Sequence, residues 1–587
     1  MNTAAIYHRP ESEFAFLYTK ENLRIRLRTG GADVDQVYLI EGDPFKITTE
    51  KWYLKESPLN KTLSTLTHDY WEIELSSETR RSQYGFHIVG RDGLSCFYGD
   101  QGIFPYTKAV IQEPNYYFRM PYFQEVDRFK APSWVKETVW YQIFPERFAN
   151  GDVTNDPSQT LPWGSQSPQR EDFFGGDLQG VLDHLDYLTE LGVNGLYFCP
   201  LFKAHSNHKY DTIDYLEIDP AFGDKQLFKK LVDQCHQRGI KVMLDAVFNH
   251  IGDNSHQWQD VIKHGQKSKY VDWFHIHSFP VTDYQMTDIP ETATGLPYDT
   301  FAFTPHMPKL NTANPEVQAY LLKIATYWVE EFDIDGWRLD VASEVDHQFW
   351  KKFRSAVTAI KADCYILGEI WHSSQNWLQG DEFHAVMNYA FTDNIKDFFI
   401  TKKLSAQQMI SGMNQQQLLY RDQVNEVMFN LLDSHDTARL LTNCQNNQEL
   451  MRAVLTFMFL QKGSPCIYYG TEIGMTGEGD PDCRKCMIWE EKEQDQELFR
   501  FMQKLIGLRK QLNPILASGT LIWLENLAKE QVGFVRRLAE HEIVAYFNES
   551  QEELVIEPTG QVIFSQNSQI NDKGAWRIQK HGFLISK

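Results

Sequence analysis

Four short segments carry residues whose types and spacing could do chemistry together. They are Asp245-Ala246-Val247-Phe248-Asn249-His250, Arg338-Leu339-Asp340, Gly368-Glu369-Ile370-Trp371-His372 and Asn430-Leu431-Leu432-Asp433-Ser434-His435-Asp436. Their apolar stretches end in polar side chains that a plain core would not want, which suits strands whose ends meet at one site. Arg338 and Asp340 stand two positions apart, so on a strand they share a face. A carboxylate beside a fixed guanidinium stays ionised, as a carboxylate nucleophile requires. Alone, the same pair reads equally well as an ion pair closing a turn. Glu369 follows one strand-helix unit later, which makes it the neighbour of Asp340 on the adjacent strand. Two carboxyls flanking a glycosidic bond at about 5–5.5 Å make a retaining glycosidase. In that chemistry Asp340 attacks the anomeric carbon, while Glu369 protonates the leaving oxygen and then activates water. The Asp340 charge is expected to keep the Glu369 proton in place near neutral pH. Asp436 adds a third carboxylate for sugar hydroxyls, with His250 and His435 on either side. A lone histidine at a strand end is otherwise a satisfied structural residue.

Such segments need a scaffold that brings strand ends together. From Thr138 onward strands alternate with helices. Strands are expected at Val139–Phe144, Gly195–Cys199, Ile240–Phe248, 335–340, Tyr365–Ile370, Val427–Leu432 and Cys466–Tyr469. A helix over Leu178–Leu191 closes at Gly192, and another is capped by Asp224 and ends at Gly239. Asn314-Pro315 opens a third, with Val317, Leu321, Ile324 and Trp328 on one face. A fourth is expected over Val345–Ala362. This grammar over residues 134–510 predicts an α/β fold, a closed (β/α)8 TIM barrel. Residues 251–312, rich in His, Asp, Thr and Pro and weak in periodicity, are expected to form an inserted loop subdomain after the third strand. Residues 1–125 and 511–587 read as short strands separated by turns, an N-terminal and a C-terminal β-sandwich flanking the barrel. The polar stretch Glu125–Ser133 is the expected linker.

Composition narrows the partners. The 587 residues carry a formal charge of −22, which argues against a phosphate backbone as ligand. Aromatic residues make up 14%, and the faces of Trp and Tyr suit sugar rings as well as a core. No apolar run reaches the roughly 18 residues of a membrane span. The start of the chain lacks the basic and apolar regions of a signal peptide. Eight scattered cysteines, several in apolar segments, predict reduced thiols and a cytoplasmic protein. Cys483-Arg484-Lys485-Cys486 has redox-like spacing without a following helix or a second pair, so neither redox nor zinc chemistry is expected there. Asn150, Asp152, Asn155 and Asp156, with Gly175 and Asp177 further on, cluster side-chain and main-chain oxygens. Spacing alone leaves two readings open, a calcium site or an ordinary Asn/Asp turn.

Taken together these segments resemble the signature regions of the α-amylase superfamily of glycoside hydrolases. Met307-Pro308-Lys309-Leu310-Asn311 is similar to the signature of its neopullulanase, cyclomaltodextrinase and maltogenic amylase group. The resemblance covers essentially the whole chain. It implies Asp340 as nucleophile, Glu369 as acid/base, Asp436 as transition-state stabiliser, and Arg338, His250 and His435 as substrate contacts. Tyr210 matches an aromatic that stacks beside the scissile bond, and Asp480 with Arg484 a pair closing the non-reducing end of the cleft. The 150–177 cluster then matches a structural calcium site. A homodimer formed through the N-terminal domain is implied as well. The implied activity is hydrolysis of α-1,4 bonds in cyclodextrins, short maltooligosaccharides and pullulan, with transglycosylation. An oligo-α-1,6-glucosidase or a glucanotransferase would use the same site, and a non-catalytic glucan-binding protein would have lost one of the three carboxyls. Ser343, Ser373 and Asp433 depart from the group's usual residues. Those departures lie on the acceptor side, where Trp371 offers a stacking platform.

Overall fold

The computed structural model describes residues 1–43, 45, 53 and 55–587. They gather into two compact units, one of residues 131–392 and 427–518, the other of 1–130, 393–426 and 519–587.

The first unit is built on eight parallel strands: β1 (Trp140–Ile143), β2 (Gly195–Phe198), β3 (Lys241–Ala246), β4 (Gly336–Leu339), β5 (Tyr365–Gly368), β6 (Ala385–Val386), β7 (Phe429–Asn430) and β8 (Ser464–Tyr468). They run in the order β6-β5-β4-β3-β2-β1-β8-β7, and a parallel bridge between Met387 and Phe429 joins the two ends. The expected barrel is therefore present. Strands β1, β2, β4 and β5 are buried at every position, which is why they read as short apolar runs rather than alternating ones.

The helices follow their caps. Asp224 accepts from the Leu227 amide at 2.8 Å and starts the helix Lys225–Gln237, after which Gly239 turns the chain at φ +71°. The Asn314-Pro315 start holds, and Val317, Leu321, Ile324 and Trp328 are buried as expected. The fourth helix begins at His347, later than expected, because Asp346 is its cap. The predicted helix 178–191 is two: α1 (Leu178–Asp183) and α2 (Leu185–Leu191). At the break His184 Nδ1 donates to the Gly180 carbonyl at 2.7 Å, the acceptor a continuous helix would give to the His184 amide. The strand expected over 427–432 shortens to β7, since Thr392 Oγ1 donates to the Leu431 carbonyl at 2.6 Å and takes it out of the ladder.

The insert 251–312 holds more regular structure than its weak periodicity predicts. Ser255 caps a helix, His256–His264, whose Trp258 packs on Phe274 and Tyr298 at ring separations of 4.7 and 4.5 Å. A two-stranded ladder pairs Gln285–Met286 with Ala293–Thr294. Single bridges from His250 to Lys309 and from Phe274 to Leu310 sew the insert together.

The second unit is rich in antiparallel sheet. In its N-terminal part a four-stranded and a six-stranded sheet enclose Leu23, Ile25, Leu27, Leu39, Phe86 and Ile88. Its C-terminal part is a six-stranded sheet whose longest strand, Trp576–Ser586, turns at His581 (φ +56°). Residues 582–586 pair with 544–548 and residues 576–578 with 554–556, so the two halves of one strand pair with different neighbours. No described helix is long and apolar enough to cross a membrane, and all eight cysteines are buried.

Candidate active site

The register of the barrel explains the site. Asp245 on β3 pairs with Arg338 on β4, and the chain reaches Asp340 and Glu369 just past the ends of β4 and β5. Arg338 is wholly buried and serves three carboxyls. Its Nη1 donates to both oxygens of Asp245 at 2.9 Å and to Asp340 Oδ1 at 2.7 Å, while Nη2 lies 3.0 Å from Glu369 Oε2. Three carboxyls around one guanidinium carry more negative charge than it neutralises. Burial pushes the Asp245 carboxyl up to about 6 against the pull of Arg338. Burial also pushes Asp340 up, with Glu369 and Asp245 adding to the rise and Arg338 opposing it. That upward push falls on the expected nucleophile. Hydrogen bonding acts against that push. Arg338 donates to Asp340 and Asp245, and those bonds favour the ionised carboxylate at Asp340.

Glu369 is held from two other sides. Its Oε2 accepts from the Val341 amide at 2.9 Å and its Oε1 from Trp371 Nε1 at 3.1 Å. Val341 has φ +47°, a conformation that a β-branched residue rarely adopts. That turn aims the amide, immediately after the nucleophile, at the acid.

A relay of neutral groups runs behind Asp245. Gln142 on β1 donates to His435 Nδ1 at 2.7 Å, so the ring carries its proton on Nε2. Nε2 donates to the Tyr210 hydroxyl at 2.6 Å, and that hydroxyl donates to Asp245 Oδ2 at 3.0 Å. Tyr197 donates to the same oxygen at 2.8 Å. Burial, then the charges of Arg484 and Arg338, keeps His435 well below the usual histidine range. His250 is pushed down to about 3 by burial; Asn249 donates to its Nδ1, and its Nε2 donates to the Tyr210 carbonyl at 3.2 Å. Both imidazoles are therefore neutral, fixed tautomers near neutral pH.

These groups surround a pocket of about 430 Å³. Every predicted catalytic and substrate-binding residue except Arg338 lines it, and Arg338 pairs with two of its wall residues, Asp340 and Glu369. Asp436 is more open than the other two carboxyls, reaching Arg484 Nη2 at 3.4 Å and His435 Nε2 at 3.2 Å. Asp480 pairs with Arg484 Nη1 at 2.9 Å. Trp371 is 52% exposed and lies flat on Tyr389, with ring centroids 3.5 Å apart, a platform for a sugar ring. Ser343 lines the pocket, whereas Ser373 is not among its walls. Asp433 has a scaffold task, accepting from the Leu440 amide and Thr471 Oγ1, each at 2.9 Å. Sequence reasoning gave no role to Asp245, Gln142, Val341, Arg170 or Glu291. Gln142 was signalled by a lone amide inside an apolar strand and Asp245 by its place in the first motif. The other three carried no local signal.

The 150–177 loop is a separate structure. The Asp177 carboxylate accepts from the amides of Gly151, Asp152 and Gly180 at 3.0, 2.9 and 2.6 Å and from Asn155 Nδ2 at 3.1 Å. Asn150 Nδ2 donates to Asp156 Oδ1 at 2.9 Å. The amide oxygens of Asn150 and Asn155 are left buried without a protein partner. Gly175 sits at φ +84° with Asp156 and Asn150 where a Cβ would be. Two orphaned amide oxygens beside the Asp156 carboxylate suit a hard, oxygen-seeking cation. Asp177 fits only through its carbonyl, since its carboxylate is used as a cap, and Asp152 Oδ1 is taken by Thr154. Among the described residues no group of three or more His, Cys, Asp or Glu is placed to hold a metal, so any such site is built mainly from neutral oxygens.

Comparison with known proteins agrees with this geometry. The family described as "Alpha amylase, catalytic domain" matches residues 142–519, and "Alpha amylase, N-terminal ig-like domain" matches residues 1–124. The intracellular maltogenic amylase of Bacillus subtilis (strain 168) is 55% identical over 552 residues, covering 94% of this chain and 91% of that protein. The cyclomaltodextrinase of Geobacillus thermopakistaniensis (strain MAS1) is 52% identical over 511 residues, covering 87% and 85%. A solved cyclomaltodextrinase structure matches with a TM-score of 0.90 at 44% identity, covering 100% of both chains. The barrel, the carboxyls gathered at its strand ends and these matches have one common explanation: the chain belongs to the α-amylase family of glycoside hydrolases.

Proposed function

We propose that this enzyme is a retaining α-glucan hydrolase, cleaving α-1,4-glucosidic bonds of cyclodextrins, short maltooligosaccharides and pullulan. The observation that carries this is the single Arg338 guanidinium shared by Asp340 and Glu369, which favours the close carboxyl pairing of retaining chemistry, about 5–5.5 Å. Asp340 attacks the anomeric carbon as Glu369 protonates the leaving oxygen. A covalent glycosyl-enzyme forms, and Glu369 then takes a proton from the incoming water. Asp436, His435 and His250 stand where the ring hydroxyls of the flattening sugar would be. The exposed face of Trp371, next to Glu369, offers a sugar acceptor a place to stack, so transglycosylation accompanies hydrolysis. The cyclomaltodextrinase and maltogenic amylase names of the relatives support this substrate class.

A structural calcium ion fits the 150–177 loop, held by the Asn150 and Asn155 amide oxygens, Asp156, and main-chain carbonyls of Asp152, Gly175 and Asp177. It would brace that loop and take no part in bond cleavage. A cytoplasmic location is supported by the word intracellular in the name of the Bacillus subtilis relative. A homodimer through the N-terminal domain follows from the family resemblance, and light scattering of the full chain tests it. For the reaction, β-cyclodextrin, pullulan and panose are digested and the first products followed by proton NMR. The expected result is ring opening of cyclodextrin with α-anomeric products. Initial β-anomers, or cleavage confined to α-1,6 bonds, would overturn the proposal.

A further inference from the structure

Five side chains of alternating charge form a line along the pocket wall. Glu291 Oε2 lies 3.8 Å from Arg170 Nη1, and Arg170 Nη2 lies 3.8 Å from Asp480 Oδ2. Asp480 Oδ1 is 2.9 Å from Arg484 Nη1, and Arg484 Nη2 is 3.4 Å from Asp436 Oδ1. All five line the same pocket. They come from four stretches of chain, Asp436 from the loop after β7. Arg170 belongs to the loop before α1, Glu291 to the insert beside its two-stranded ladder, and Asp480 with Arg484 to the loop after β8. The main chain at Arg170 is fixed, since its carbonyl accepts from Asn207 Nδ2 at 2.7 Å. The side chain is half exposed and spans two acids that otherwise face each other across the rim.

We infer that Arg170 is a specificity-determining residue that ties the insert to the 480–484 loop and closes that end of the cleft against long α-glucans. The inference rests on the α-glucan reading of the site. With Arg170 in place the rim is drawn together over the pocket, and a bound chain ends there. Without it Glu291 and Asp480 are like charges with nothing between them, and the Glu291 segment loses its link to the 480–484 loop. Exposed pairs of this kind contribute little to the stability of a fold, so the rim can be altered without unfolding the enzyme.

The test compares kcat/KM on long-chain amylose with kcat/KM on maltotriose. Arg170→Ala is expected to raise the amylose-to-maltotriose ratio about fivefold, the scale of a lost pair of exposed contacts. The change should lie in KM for amylose, with the melting temperature unaltered. Glu291→Gln should move the ratio the same way by less, and Arg170→Lys, which keeps the charge, should stay near wild type. About 1 M sodium chloride, with its screening length of about 3 Å, should carry the wild type toward the Arg170→Ala value. A ratio in Arg170→Ala equal to or below that of wild type overturns the inference and leaves the hydrolase reading standing. A wild-type enzyme that cleaves no α-1,4-glucan overturns both.

Discussion

At Arg338 one guanidinium answers to three carboxyls, and burial pushes two of them, Asp245 and Asp340, upward. Asp245 contributes nothing to the reacting bond, yet its charge pushes Asp340 upward and its oxygens anchor Arg338, Tyr197 and Tyr210. In Asp245→Asn the shape is kept and one negative charge is removed. Asp340 then loses a like-charged neighbour, its carboxyl falls, and the acid limb of the pH profile of kcat/KM moves to lower pH. The weakened hydrogen bonds lower kcat by about tenfold. An acid limb that stays in place would show that Asp245 acts by shape alone. Asp340→Asn, by contrast, removes the nucleophile and should cost at least about a thousandfold. The contrast between the two also marks what sequence could reveal. Asp340, Glu369 and Asp436 were legible because each closes an apolar run with a group a core would reject. The relay from Gln142 through His435 and Tyr210 to Asp245 joins residues of four separate segments, and only the closed barrel shows that they touch.

Elements were legible wherever a cap or a one-sided apolar stripe defined them. Asp224, Asn314 and the apolar face through Leu321 and Trp328 fixed two helices before any coordinates. Expectations failed where a side chain competes for a main-chain partner, as His184 does at Gly180 and Thr392 at Leu431, because such competition leaves no periodicity to read. Asp177 shows how much one side chain can set at this scale. It caps α1 and, with the same carboxylate, holds two amides and Asn155 of the 150–156 loop. Asp177→Ala removes the cap and strands the loop donors, so we expect a loss of about 2–4 kcal/mol in urea titrations. The ordering of that loop should also depend on calcium. Metal analysis of protein purified without chelator is expected to find about one calcium per chain. A cation at about 100 times its dissociation constant adds about 2.7 kcal/mol, so chelator should lower the melting temperature. It should do so far less in Asp177→Ala, whose loop is already loosened. No calcium, together with no effect of chelator on wild type, would leave the loop an ordinary Asn/Asp turn.

Across the whole molecule the composition limits partners more than it sets structure. A net charge of −22 weighs against a phosphate-backbone partner, yet nothing in composition shows that residues 393–426 gather with the terminal β segments. Within that unit Asn414 Nδ2 donates to the Ser64 carbonyl and Trp523 Nε1 to Asn414 Oδ1, each at 2.8 Å, contacts between positions far apart in sequence. The molecule's response to acid is likewise a property of dispersed sites. His8, His250, His384 and His435 are all buried and held below the usual histidine range, chiefly by burial. His8 is the cleanest to test, being remote from the catalytic carboxyls in sequence and part of the other unit. It is 4% exposed and packs against Phe86 and Phe118. Its Nδ1 donates to the Arg26 carbonyl at 2.7 Å, and Tyr84 donates to its Nε2 at 2.8 Å. Burial pushes it down to about 3. Unfolding returns it to about 6.5, so between those values the unfolded chain binds a proton that the folded one refuses. Stability from this residue is complete above about pH 6.5 and is lost as the pH falls. Buried carboxyls act in the opposite sense over part of the same range, so total stability against pH would mix the two. The difference between wild type and His8→Gln isolates the histidine. Measured by urea titration followed through tryptophan fluorescence, that difference should grow with a slope approaching about 1.4 kcal/mol per pH unit from pH 4 to 6, then level off. A difference that is flat across the window would mean that folded His8 takes up its proton as an exposed histidine does.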